Sequence, residues 1–154
     1  MKYVIPPVLL VLAACLGIQS SVSAHCEVPC GIYGDQKRFE AMLEDHTTIR
    51  KAMAEIQALA DRTDAQSRNQ LARWVANKES HATKIQNTIA QYFMSQRIKA
   101  KDAKYVPKLT SAHAVMVAAM KCKQTVDTKV ADGLRESILK FYEAYEGRKP
   151  DFDK

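Results

Sequence analysis

Residues 37–60 read KRFEAMLEDHTTIRKAMAEIQALA. Phe39, Met42, Leu43, Ile49, Met53, Ile56 and Leu59 recur there at steps of three and four, the spacing that lines one face of an α-helix. Asp61-Arg62-Thr63-Asp64 ends it, because short polar side chains compete for backbone hydrogen bonds and Asp64 can cap the next helix. A second, longer helix carries Leu71, Trp74, Val75, Ile85, Ile89, Tyr92 and Phe93 on one side and ends near Ile98. Lys99 to Pro107 is charged, lacks periodicity and closes on a proline, so it reads as a loop. A third helix is expected from about Lys108 to Lys123, with Leu109, Ala112, Met116, Ala119 and Met120 inward. A fourth spans about Asp127 to Tyr145, with Val130, Leu134, Ile138, Phe141 and Tyr145 inward and Gly147 and Pro150 as stop signals. Four helices joined by mostly short connections imply an all-α, antiparallel up-and-down four-helix bundle. The Met and aromatic stripes are its core, and such a bundle by itself discloses no function.

Upstream of this bundle lies a different kind of sequence. Val8 to Ile18 is an apolar run behind a lone basic Lys2, too short to span a bilayer comfortably, and Val22-Ser23-Ala24 offers a small residue at a cleavage point. The reading is a secretory signal over residues 1–24, removed by signal peptidase, with the mature chain beginning at His25 in the periplasm or outside the cell and no stable membrane insertion after cleavage. A lipoprotein-like site at Leu12-Ala13-Ala14-Cys15 is the competing terminus. Residues 25–36 then form an irregular arm, 37–147 the bundle and 148–154 a flexible tail. The whole chain carries a formal charge of +6, and the leader contributes only Lys2, which leaves +6 − 1 = +5 on the mature chain. That excess favours an anionic ligand weakly. Basic residues alternate with acids along helical faces and are not gathered with aromatics, which argues against nucleic acid as a partner.

The arm reads His25-Cys26-Glu27-Val28-Pro29-Cys30-Gly31-Ile32-Tyr33. With His25 as terminus, one short segment supplies a primary amine, an imidazole, two thiols and a deprotonatable peptide nitrogen. Thiolates beside strong nitrogen donors suit nickel or copper rather than magnesium or calcium. The amine, the next amide nitrogen and the Cys26 sulfur can close fused chelate rings, and Pro29 and Gly31 bend the chain so that Cys30 returns. Cys26 and Cys30 could equally close a small disulfide in an oxidising compartment. Cys122, alone in a helical segment, reads as a buried small hydrophobe. His46, His81 and His113 show no helical metal-site spacing and stay outside the ligand set.

His-Cys-x-x-Pro-Cys-Gly-x-Tyr after a cleavage site is similar to the nickel hook of the nickel-containing superoxide dismutases. The resemblance implies one nickel ion per chain, held through the terminal amine and imidazole of His25, the Cys26 amide nitrogen, and the thiolates of Cys26 and Cys30. It implies a bundle assembled as a homohexamer that converts the superoxide anion to oxygen and hydrogen peroxide. It continues through Arg38-Phe39-Glu40-Ala41, where Glu40 takes the place of a glutamate that hydrogen-bonds the axial imidazole, after a spacer one residue shorter than in some members. It reaches Asn77-Lys78-Glu79 through Gln91-Tyr92-Phe93, where Tyr92 matches a tyrosine that, with Tyr33, screens the metal. His81 falls where some members carry an arginine near the glutamate. The competing readings are a non-enzymatic exported copper or nickel carrier using the Cys-x-x-x-Cys hook, and a structural bundle with a disulfide-closed arm.

Overall fold

The computed structural model describes residues 34–152. Four helices follow one another: α1, Gln36–Leu59; α2, Ala65–Asn87, which runs without a break into a π-helical segment, Thr88–Arg97; α3, Tyr105–Gln124; and α4, Thr128–Glu146. The described residues hold no strand, and none of these helices is long and apolar enough to cross a membrane. Each helix packs on two others, α1 on α2 and α4, and α3 on α2 and α4, which closes an antiparallel four-helix bundle.

Local chemistry explains most of the boundaries. Asp64 has extended backbone and accepts from the Ser67 amide at 2.9 Å, and Asp127 does the same for the Lys129 amide at 2.9 Å. Each satisfies a first-turn donor that the helix leaves without a partner. Gly147 takes φ of 75°, a left-handed conformation that side chains strain against, and its amide closes α4 on the Glu143 carbonyl at 2.9 Å. Beyond it the chain returns to the bundle, where Phe152 packs edge-on against Tyr142 at 4.9 Å between ring centroids.

Three expectations need correction. α3 starts at Tyr105, before the proline expected to close the loop, because Pro107 occupies a first-turn position whose missing N–H has no intrahelical partner anyway. Along α3 the buried residues are Ala112, Val115, Ala119 and Cys122, while Met120 is 41% exposed. α3 is apolar on several faces, so its pattern did not single out one stripe. In α2 nothing is buried between Ala65 and Asn77: Leu71 and Trp74 are half-covered and Val75 is 42% exposed. The first buried residue is Lys78, whose ammonium donates to the carbonyls of Cys122 (3.0 Å) and Lys123 and to Glu79 Oε1 (2.9 Å). All three of its protons are used, and a cation sits against the negative end of α3. α3 therefore stops level with Lys78, and the half of α2 before it buries no residue.

The core is aromatic at one end. Phe39, in the first turn of α1, lies within 4.9 to 5.9 Å of the rings of Phe93, Phe141, Tyr142 and Tyr145. Phe39, Phe93, Phe141 and Tyr142 are fully buried. Tilted and edge-on pairs at such distances add to what burial alone supplies. This end is where the chain enters from the arm.

One buried group gives the fold a pH dependence. His46 is 6% exposed, and its Nε2 has no hydrogen-bond partner among the described residues. Burial, with Arg135 nearby, holds its pKa below the ordinary 6.5. The unfolded chain thus binds the proton more readily, so this contribution to stability is complete above pH 6.5 and is lost as the pH falls below it. The thermal midpoint is expected to drop between pH 7 and 5, and less steeply in His46→Gln. Parallel slopes for the two proteins would show that His46 does not carry the effect.

Candidate metal centre

His25, Cys26, Cys30 and Tyr33 lie outside the described residues, as do the leader and the last two positions. The described chain begins at Gly34, directly after Tyr33, with φ of 73°. Only glycine adopts that conformation without strain, and here it turns the chain immediately before α1.

Asp35 is the next residue. Its Oδ1 accepts from the Tyr92 hydroxyl at 2.6 Å, and its Oδ2 from Arg97 Nη2 at 2.8 Å and the Tyr145 hydroxyl at 2.7 Å. Burial alone would push the Asp35 pKa up, but the hydrogen bonds from Arg97, Tyr92 and Tyr145 outweigh it and hold the carboxyl below its ordinary value. Burial and the neighbouring carboxylate push both tyrosines up, so they stay hydroxyl donors at neutral pH. One ionised carboxylate thus joins the start of α1 to the π-helical segment and to the end of α4. The Arg38 guanidinium lies 4.9 Å from the centre of the Tyr92 ring and covers its outer side.

Glu40 is exposed on α1, one turn on from Gln36. Gln36 Nε2 donates to Glu40 Oε1 at 3.1 Å, and Gln36 Oε1 accepts from the buried Tyr142 hydroxyl at 2.9 Å. The amide thereby orients the carboxylate from one side and leaves its remaining lone pairs open. Glu40 opens onto a depression shared with Glu44, His46 and Arg135, whereas Tyr92 lines a separate one with Arg38, Glu79 and Lys84. The two sequence-derived residues that are described therefore line different depressions. His81 pairs with Asp45, Nδ1 to Oδ1 at 2.7 Å, and Lys84 joins the same oxygen at 3.1 Å. It serves the buried Asp45 and makes no bond to Glu40.

No group of three or more His, Cys, Asp or Glu side chains suited to a metal occurs among the described residues. Cys122, their lone thiol, is fully buried, and desolvation pushes its pKa up to about 11, which disfavours the thiolate a metal needs. Sequence reasoning did not find Asp35, Gln36, Arg97 or Tyr145. Asp35 looks like an ordinary helix cap, and Tyr145 belongs to a core stripe.

The family model for nickel-containing superoxide dismutases matches residues 20–149, which takes in the whole bundle and every residue of the arm. Neither the curated proteins nor the solved structures yield a match. With a family match over most of its length, upon a four-helix bundle whose first helix is anchored at its very start, the chain belongs to the nickel-containing superoxide dismutases.

Proposed function

We propose that this oxidoreductase disproportionates superoxide at one nickel ion held by its own N-terminus, after export and cleavage behind Ala24. The observation that carries the reading is the family match, which extends over a segment, His25 to Tyr33, rich in the nitrogen and sulfur donors that nickel favours. The described residues supply no rival donor cluster. The His25 amine and imidazole, the Cys26 amide nitrogen and the two thiolates of Cys26 and Cys30 would hold the ion. When bound in that donor set, nickel supplies a Ni(II)/Ni(III) couple placed between the two half-reactions of superoxide.

The remaining work falls to side chains. Two superoxide anions and two protons yield one oxygen and one hydrogen peroxide, so the site must admit a small anion and deliver protons. Around the depression that Tyr92 lines, Arg38 and Lys84 outnumber Glu79, and a net positive charge there draws anions at a rate that falls with ionic strength. Glu40, steadied by Gln36, accepts from the His25 imidazole and raises its basicity, as outer-shell carboxylates do for ligating histidines. Tyr33 and Tyr92 screen the ion from larger molecules. The exported protein works in the periplasm or outside the cell as a homo-oligomer.

Two experiments test this. Adding one residue before His25 removes the amine chelate, and the expected result is loss of nickel and activity with unchanged far-ultraviolet circular dichroism. Full activity in that protein would defeat the terminal-amine site and favour a carrier that tolerates an extended end. Glu40→Gln is expected to keep nickel while lowering kcat/KM by roughly 10–100-fold, the range for an outer-shell partner. Kinetics and nickel spectra identical to those of the parent would remove Glu40 from the site.

A further inference from the structure

An aspartate placed immediately before a helix ordinarily caps it, and Asp64 and Asp127 do so. Asp35 occupies the same position before α1 and makes no side-chain cap bond. Both of its oxygens are committed instead to Tyr92, Arg97 and Tyr145.

Tyr92 and Arg97 are five residues apart. At 3.6 residues per turn, side chains five apart on an α-helix diverge by about 140° and cannot both reach one carboxylate. The π-helical winding from Thr88 to Arg97 is wider and narrows that divergence, with bonds to the fifth residue before, as from the Ile98 amide to the Phe93 carbonyl at 2.8 Å. Ser95 and Gln96 also bond their side chains five residues back, to the carbonyls of Ala90 and Gln91. Two local rules, the cap and the α-helical winding, are thus broken together, and both serve the one carboxylate. Such departures mark sites where something beyond local stability is specified.

Asp35 stands five residues after Cys30 and two after Tyr33. Five residues span at most about 18 Å, so wherever Asp35 is fixed, the reach of Cys30 is bounded. We propose that Asp35 is a positioning residue for the nickel hook: it fixes the root of the hook against Tyr92 and α4, and the geometry of the donors depends on it. This inference rests on the nickel-hook reading of the function. It differs from a plain bundle clamp, in which Asp35 would stabilise the helices and leave the metal's surroundings unaltered.

The test uses the mature protein with its native His25 terminus, as wild type, Asp35→Asn and Tyr145→Phe. Asn replaces one acceptor oxygen by an NH2 group that faces existing donors. Tyr145→Phe removes one donor and keeps the ring in the aromatic cluster. The readouts are nickel affinity of the metal-free protein, the paramagnetic resonance spectrum of the oxidised nickel form, far-ultraviolet circular dichroism and the thermal midpoint. Asp35→Asn is expected to keep its helical signal while nickel affinity falls at least roughly tenfold and the nickel spectrum shifts or broadens. Tyr145→Phe should move in the same direction by less. Should Asp35→Asn fail to fold, Tyr145→Phe decides alone. A lowered midpoint with wild-type nickel affinity and spectrum in the folded variants would overturn the proposal. A wild-type chain that binds no nickel would overturn the hook reading itself, and this inference with it.

Discussion

The ionised carboxylate of Asp35 is the constraint on which this end of the molecule depends. A carboxylate largely withdrawn from water is costly unless its lone pairs are occupied, and here three donors from two other elements bond it. The three donors are in turn held in place by what they pack on. Tyr145 closes over Phe39, Phe93 and Phe141, and Tyr92 meets Phe93 edge-on at 5.2 Å. The polar knot and the aromatic floor therefore share residues, and neither can shift without the other. Lys108 adds to this, its ammonium lying 4.9 Å from the centre of the Tyr145 ring while bonded to Asp102 at 2.6 Å.

Far from this end the same economy appears in a simpler form. Lys78 is buried on α2, yet each of its protons finds an oxygen, two of them carbonyls that α3 leaves open at its last turn. A buried cation here replaces the glycine cap that ends α4. The difference arises from partners: α4 ends in solvent, where Gly147 can turn freely, whereas α3 ends against the flank of a longer helix that supplies the side chain. Asp45 is handled likewise, with His81 and Lys84 reaching it from α2. Charged hydrogen bonds of this kind tie α1 and α3 to α2 at set heights.

How much of this could be read from residue order depends on whether the determinant is local. Helix ends at Asp64, Asp127 and Gly147 could be read, because cap and stop act within a few residues. Core positions on α1 and α4 could be read too, since each helix has one apolar stripe. Met120 could not be assigned, as Ala, Val and Met surround α3 on several faces, and Val75 misled because the helix expected to cover it ends level with Lys78. The π-helical winding left no trace in TIAQYFMSQR, which has an ordinary helical pattern; the partner that Tyr92 and Arg97 share within it is Asp35, far away in sequence. The proposed donors of the hook lie outside the described residues and rest on residue order alone, since chelation by a terminal amine and two thiols is a property of a few adjacent residues. Asp35 was hidden by its own plausibility as a cap, and its three partners are 57, 62 and 110 residues away.

That division separates two tasks within one chain. Metal chemistry needs a particular donor set, which nine consecutive residues can carry. Holding that set against a proton source, a screening tyrosine and an approaching anion needs fixed distances, which only a packed core supplies. Small metal-dependent domains fold around their ion, so that losing it unfolds them. Here the described core closes on aromatic rings and helix-spanning ion pairs with no contribution from a metal cluster of its own. The described bundle is therefore expected to fold without help from a metal. At the start of that bundle stands a carboxylate bonded three times to other elements and not to the first turn of its own helix.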